Sequence, residues 1–184
     1  MRFFLPYIVL GAVVGVLIAA AIWTQVSSIK LNRQTWKGLV SQLHKLNFDS
    51  VTLVARDFLE PRRGQLALEP EQMWQLVGGY KGLMMMRENA NIMLALAAYA
   101  EQWNFDEGVI VTERMRREAL SLRRAVHRVE LRRLILNLLP RRFRFTAPFD
   151  VHEAASSYYL MRQRLLALYE TSHAGLYPAL AAVL

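Results

Sequence analysis

The stretch from Met85 to Leu136, MMRENANIMLALAAYAEQWNFDEGVIVTERMRREALSLRRAVHRVELRRLIL, decides the fold. Apolar residues recur in it at alternating intervals of four and three, which is the period of one face of an α-helix. The pattern breaks at Asn104-Phe105-Asp106, which predicts a tight turn, with Asp106 as N-cap of the following helix. Two long helices joined by so short a connection run antiparallel, so the sequence predicts a helical hairpin. The predicted seams are Met85, Asn89, Ile92, Leu96, Tyr99 and Trp103 in the first helix, and Met115, Ala119, Leu122, Val126, Val129 and Leu136 in the second.

Upstream of the hairpin the helical period continues. Apolar residues from Trp36 to Leu46 predict one helix. A short second helix follows, with Asp49 or Ser50 as its expected N-cap, and Pro61 ends it. We expect this short helix to turn the chain back toward the point where the domain begins.

The first hairpin helix is predicted to start at Pro70, because proline is favoured at the first helical position. We expect it to continue to about Trp103. Gly78 and Gly82 lie inside it, and glycine costs about 1 kcal/mol in a helix interior. The two glycines therefore indicate either a bend or a closely packed neighbour.

After Pro140 ends the second hairpin helix, Asp150 is expected to cap a last helix. No stretch shows the alternation of a strand, so the predicted fold is all-α: an elongated antiparallel helical bundle over residues 30–172, then an apolar tail at residues 173–184. The predicted buried face of the last helix is Ala154, Tyr158, Met161, Leu165 and Leu168.

The N-terminal segment predicts a single transmembrane helix at residues 1–29. Residues 3–29 carry no charge, and a bilayer core needs about 20 apolar residues in a helix. The alternative is a cleaved signal peptide, for which Ala19-Ala20-Ala21 would be the cleavage site. We favour the anchor because the apolar run continues past that site. An anchor followed by an elongated bundle is similar in layout to the LemA family, although no motif matches.

Two features of the anchor bear on topology and assembly. Lys30, Arg33 and Lys37 follow the span, and positive residues next to a span tend to stay cytoplasmic, so we expect an anchor in the cell membrane with its domain in the cytoplasm. The alternative is a domain on the other side, because so short an N-terminal tail can itself stay in the cytoplasm. Within the span a small-residue face favours close helix–helix approach and hence a homodimer. A lone anchor is the alternative. The face consists of Gly11, Gly15 and Ala19.

The net charge of +8 lies in one region. Between Glu113 and Arg144 the chain has eleven arginines and three glutamates. One interpretation is a solvated face in which Glu113 and Glu118 pair with arginines one turn away, while acidic residues of other helices take some of the remainder. The second is contact with anionic lipid headgroups or an acidic protein partner. Nucleic acid is the least favoured, because no nucleic-acid motif accompanies the arginines.

Basic and aromatic residues alternate in the loop before the last helix. Such a pattern suits a membrane interface, where rings insert and guanidinium groups meet phosphates. If the arginine-rich helix returns toward the bilayer, this loop lies near the headgroups. Alternatively, its phenylalanines cover the end of the core. The candidate contact residues are Arg141, Arg142, Phe143, Arg144 and Phe145.

Motifs for chemistry are missing from the sequence. It has no cysteine, and His152-Glu153 lacks the second histidine of a zincin motif. His152, Glu153 and Ser157 share a helical face only by a spacing that arises easily by chance. We therefore predict no catalytic, cofactor or metal residues and a membrane-tethered scaffold, adaptor or accessory subunit. The alternatives are a bundle that senses a small ligand and, last, a membrane-associated enzyme.

Overall fold

The computed structural model describes residues 35–61, 66–103, 105–138 and 148–184. Regular structure in these ranges is helical throughout, which confirms the all-α prediction. Trp36–Leu184 forms one compact unit. The helices are α1 Trp36–Ser41, α2 Phe48–Leu59, α3 Pro70–Leu76, α4 Gly79–Ala100, α5 Phe105–Leu138, α6 Pro148–Ser172 and α7 Tyr177–Ala181.

Within the described ranges, no helix combines the length and the apolarity needed to cross a bilayer. The predicted anchor at residues 1–29, with its face of Gly11, Gly15 and Ala19, lies outside those ranges. So does the loop that contains Arg141, Arg142, Phe143, Arg144 and Phe145. The anchor, its dimer face and the lipid contact of the loop therefore stay predictions.

Helices α4 and α5 form the predicted antiparallel hairpin. Far from the turn, Arg87 lies 3.1 Å from Glu130. Beside the turn, a Cβ on Gly108 would lie 3.0 Å from the Cα atom of Glu101. The seams are buried along most of their length, although Trp103 is exposed. The buried seam residues are Asn89, Ile92, Leu96, Met115, Ala119, Leu122, Val126 and Val129.

Helix α6 packs against both members of the hairpin, parallel to α4 and antiparallel to α5. All five residues predicted for its buried face are buried. Asp150 is not its N-cap, because the helix already begins at Pro148 and Asp150 lies in its first turn. The directions follow from the pairs Asn89–Tyr158 and Leu96–Tyr169 between α4 and α6, and Arg128–Asp150 and Glu118–Arg164 between α5 and α6.

Helices α1 and α2 follow each other in the same direction along α6, and this direction is antiparallel to that of α6. The expectation that α2 turns the chain back is therefore wrong. From Trp36 to Phe58 the chain passes 17 residues of α6, about 25 Å at 1.5 Å per residue. Three ring contacts follow this path: Trp36 to Tyr169 at 6.5 Å, Phe48 to Tyr159 at 6.1 Å and Phe58 to His152 at 5.7 Å.

Two boundaries in this segment differ from the prediction. α1 ends at Ser41 instead of continuing to Leu46, and an irregular linker follows. α2 begins two or three residues earlier than predicted because Asn47 is its N-cap, with a side-chain oxygen that accepts from the Ser50 N–H at 3.2 Å. The cap prediction missed Asn47 because three neighbouring polar side chains can all serve as caps.

A break at Gly78 separates α3 from α4, so the prediction of one helix from Pro70 to Trp103 is wrong. Gly78 and Gly79 have φ angles of 76° and 61°, which residues with a Cβ atom rarely adopt. A Cβ on Gly82 would lie 1.7 Å from the carbonyl oxygen of Val77. The start is as predicted: Pro70 opens α3, behind a capping box formed by Glu69 and Gln72.

The C-terminal segment is more ordered than the predicted apolar tail. α7 forms there, and Pro178 lies in its first turn, where proline is tolerated. Leu180 is fully buried. Since α7 packs against α6, residues 173–184 belong to the bundle.

Candidate interaction surface

The outward side of α5 is the most distinctive surface in the described part of the chain. Five aliphatic side chains on it have between 40% and 63% of their area exposed. Apolar residues scattered singly are normal on protein surfaces, but five on one helix face form a feature that needs an explanation. They are Val109, Ile110, Leu120, Leu131 and Leu134.

The outward face divides into two rows. At about 100° per residue, Val109, Leu120, Leu131 and Leu134 fall in one sector of roughly 60°, which we call the aliphatic row. Beside it lie Arg114, Arg117 and Arg124, which we call the arginine row, with Ile110 among them. All residues of both rows are exposed. Four aliphatic side chains and three arginines therefore occupy neighbouring sectors of the outward side of α5, and the aliphatic sector also contains the exposed residues Glu113, Arg116 and His127.

The arginine row has little opposing charge. Arg117 and Glu113 form an ion pair with a distance of 3.7 Å. At least half of each side chain is exposed, so the pair adds little stability. Arg114 and Arg124 have no ion pair or hydrogen bond with any residue the structure describes. The prediction of a local pair at Glu113 is confirmed, and Glu113 also lies 3.5 Å from Arg116.

Four other arginines of α5 contact the neighbouring helices α4 and α6. Arg128 donates to Asp150 at 2.6 Å and to Glu153, and Arg132 lies 3.0 Å from Asp150. The hydrogen bond to the Asp150 carboxylate raises the pKa of Arg128. These bonds tie α5 to the start of α6, so the rows lie on a helix that is held in place.

Three further contacts complete this division of the arginines. Glu118 pairs with Arg164 of α6 at 2.9 Å, so the prediction that it pairs within its own helix is wrong. Arg123 donates to Asn91 of α4. Arg133 lies over the ring of Tyr80, 4.7 Å from its centre. The sequence indicated that partners on other helices were needed, but it could not show which arginines they would leave free.

His152 and Glu153, which share a face of α6 with Ser157, contact different partners. His152 is fully buried, and its Nε2 atom lies 3.1 Å from Asp57 of α2. Glu153 instead accepts from Ser121 at 2.6 Å and from Arg128. In the described ranges there is also no cluster of metal-binding side chains. These residues hold helices together.

Asp57 connects three segments. Its carboxylate accepts from the backbone N–H of Ala67 at 2.8 Å and of Leu68 at 3.2 Å, in addition to contacting His152. Burial raises the pKa of Asp57, but these hydrogen bonds outweigh burial and leave the pKa below its ordinary value. The charged carboxylate thus fixes the loop before α3 against α2 and α6.

Comparison with known proteins gives no relative: no family model, curated protein or solved structure matches the chain. The similarity in layout to the LemA family therefore stays a prediction. Of the surface features, the aliphatic row was missed by the sequence analysis. Its signal was present, because Val109, Leu120, Leu131 and Leu134 are apolar yet fall outside the predicted seam.

Proposed function

We propose that this protein is a membrane-tethered adaptor whose α5 face binds an acidic, amphipathic helix of a partner protein. In this proposal residues 1–29 anchor the chain in the cell membrane and the bundle lies in the cytoplasm. The apolar, uncharged N-terminal stretch supports the anchor. The single observation that supports the binding role is the pair of rows on α5.

The chemistry of the rows favours an acidic helix. Arg114, Arg117 and Arg124 offer guanidinium groups that match carboxylates in pairs. The neighbouring aliphatic row would accept apolar side chains of the same helix, as in other helix-docking sites. Together the two rows specify a partner with acidic residues on one side and apolar residues on the other.

Other occupants fit less well. A second copy docked through the same face would bring arginine against arginine. In the aliphatic row, Val109, Leu120 and Leu131 follow at intervals of eleven residues, or about 16 Å. Interfacial helices use a broad apolar face to enter a bilayer, and this row is too sparse for that. Nucleic acid would use the arginines but not the aliphatic side chains.

Photocrosslinking in native membranes tests the proposal. A photoreactive residue replaces Leu120 in the full chain, and a matched probe replaces Gln163, an exposed residue of α6. We expect Leu120 to crosslink to a protein segment rich in Asp and Glu, whereas Gln163 does not. The double substitution Arg117→Glu with Arg124→Glu should abolish the adduct, because it reverses the attraction between the two surfaces.

Three outcomes would contradict the proposal. Adducts that contain only lipid would show that the face lies on the bilayer. Adducts between two copies of the chain would show self-association. Equal crosslinking from Leu120 and Gln163 to the same protein would show that the contact is unspecific.

A further inference from the structure

A cleft lies at the break between α3 and α4. Its volume is about 670 Å³, which is within the range of roughly 300–1,000 Å³ typical of small-molecule sites. One wall is the linker and first turn of α2, from Lys45 to Val51, and the other is formed by α3 and the start of α4. The glycines described above enforce the break, so the cleft follows from the backbone conformation at Gly78 and Gly79 and from the close approach of Gly82 to Val77.

The charged side chains described in the lining of the cleft are basic. Lys45 and Lys81 line the cleft, and no aspartate or glutamate of the described ranges does. Neither lysine forms an ion pair or a hydrogen bond with another described residue. Two ammonium groups without an internal counterion favour an anionic occupant.

The neutral polar side chains of the lining also offer donors. The carboxamide oxygen of Asn47 already accepts from Ser50, and that of Gln72 accepts from the N–H of Glu69 at 3.4 Å. The NH₂ group of each carboxamide has no acceptor among the described residues. Since an NH₂ group only donates, both side chains can bind the oxygen atoms of an anion.

The floor of the cleft is apolar. Val51 and Val77 are buried there, and Leu76 and Met85 are half-buried. Water in contact with such a floor is released when an apolar group replaces it. The lining therefore combines a rim of hydrogen-bond donors and positive charge with a hydrophobic base.

We propose that this cleft binds a small anion, a phosphate or carboxylate group that carries a compact apolar body. The anionic group would lie between Lys45 and Lys81, with the amides of Asn47 and Gln72 as further donors, and the body would cover the floor. The site is separate from the outward face of α5, so the proposal does not depend on a protein partner there.

Phenyl phosphate is a suitable probe, because it joins a phosphate to one ring. The full chain, reconstituted in phosphatidylcholine nanodiscs, is titrated with it by calorimetry. We expect saturable binding that weakens about tenfold or more in the Lys45→Glu, Lys81→Glu double variant, because two attractive charges become repulsive. The matched control Lys37→Glu changes an exposed lysine outside the cleft and should bind as the wild type does.

Two ligand controls divide the site into its parts. Inorganic phosphate should bind more weakly than phenyl phosphate, since it has no apolar body, and phenol should bind more weakly because it has no charge. The proposal would be overturned if binding of phenyl phosphate does not saturate, or if the wild type and the double variant bind it equally well. Equal affinity for phenyl phosphate and inorganic phosphate would overturn the apolar part of it.

A measurement on the wild-type chain does not depend on the variants. Acetylation of Lys45 and Lys81 by a lysine reagent should slow when phenyl phosphate is present, whereas acetylation of Lys37 should not. Acetylation of Lys45 and Lys81 at the same rate with and without phenyl phosphate would contradict the site. The source of the ligand is then separated with nanodiscs that contain phosphatidic acid: competition with phenyl phosphate supports a lipid headgroup, and undiminished binding supports a soluble phosphate.

Discussion

The side chain of Asn89 attaches the linker between α1 and α2 to the core. It accepts from the backbone N–H of His44 and donates to the backbone carbonyl of the same residue, both at 2.8 Å. It also donates to Tyr158 at 3.1 Å. One buried side-chain amide thereby forms hydrogen bonds with the N–H and the carbonyl of His44, which in a helix or a sheet would bond to other backbone groups.

Replacing this amide tests its role. Asn89→Leu should lower the free energy of unfolding by about 1–3 kcal/mol, because the backbone groups of His44 lose their partners. The measurement is urea unfolding of the full chain in a mild detergent. Gln102→Ala, an exposed site, is the control and should change little. A loss of stability no larger than that of the control would show that water satisfies the backbone groups of His44 when the amide is absent.

The Asp57 carboxylate should make stability depend on pH. Its pKa in the folded state lies below the ordinary value of 3.8. A lowered carboxylate pKa stabilises the fold above the unfolded-state value, and this stabilisation is lost as the pH falls through the folded-state value. Asp57→Asn should therefore be less stable than the wild type at pH 7. The difference should shrink as the pH falls below about 4, and a constant difference would contradict this account.

At the scale of the element, the break between α3 and α4 depends on Gly82. Gly82→Ala should lower the free energy of unfolding by about 2 kcal/mol or more, because its Cβ would lie 1.7 Å from the Val77 carbonyl oxygen. Gly175→Ala is a matched control, since no described residue other than its chain neighbours lies within 4 Å of the Cβ it would add. Thermal unfolding followed by circular dichroism compares the two. Similar melting temperatures would mean that the break relaxes at little cost.

Periodicity predicted the elements of the core well. The seams of α4 and α5 and the buried face of α6 follow from spacing, because burial on one helix face selects apolar residues one turn apart. The break at Gly78 did not follow, since a glycine in a helical pattern is equally consistent with a close neighbour. The free arginines of α5 could not be identified either, because Asp150, Glu153 and Arg164 lie on a helix that is distant in sequence.

For the whole molecule, the predicted anchor should be retained. Protein from native membranes should begin at or next to Met1 and should resist carbonate extraction, because a transmembrane helix is held by its apolar surface. A mature N-terminus near Ile22 would show that the segment is a signal peptide. A reporter active only in the cytoplasm, fused after Leu184, should work if the charge distribution sets the orientation.

The order of the helices was the least predictable property at this scale. Short loops predict antiparallel neighbours, but α1 and α2 are short and their linker is irregular. Whether they continue in one direction or reverse depends on contacts such as Trp36 with Tyr169, which join residues 133 positions apart. No local pattern encodes such a contact. The fold class was therefore predictable, whereas the path of the chain was not.

The antiparallel course of α1 and α2 along α6 determines how the unit responds to mechanical force. Trp36 and the end of α6 lie at the same end of the unit, where the Trp36 and Tyr169 rings meet. Tension between residues 36 and 172 therefore acts on the contacts of Trp36, Phe48 and Phe58 one after another, beginning at Trp36. In such a geometry the contacts break one at a time at low force, whereas in a parallel arrangement the same tension would act on all the contacts together.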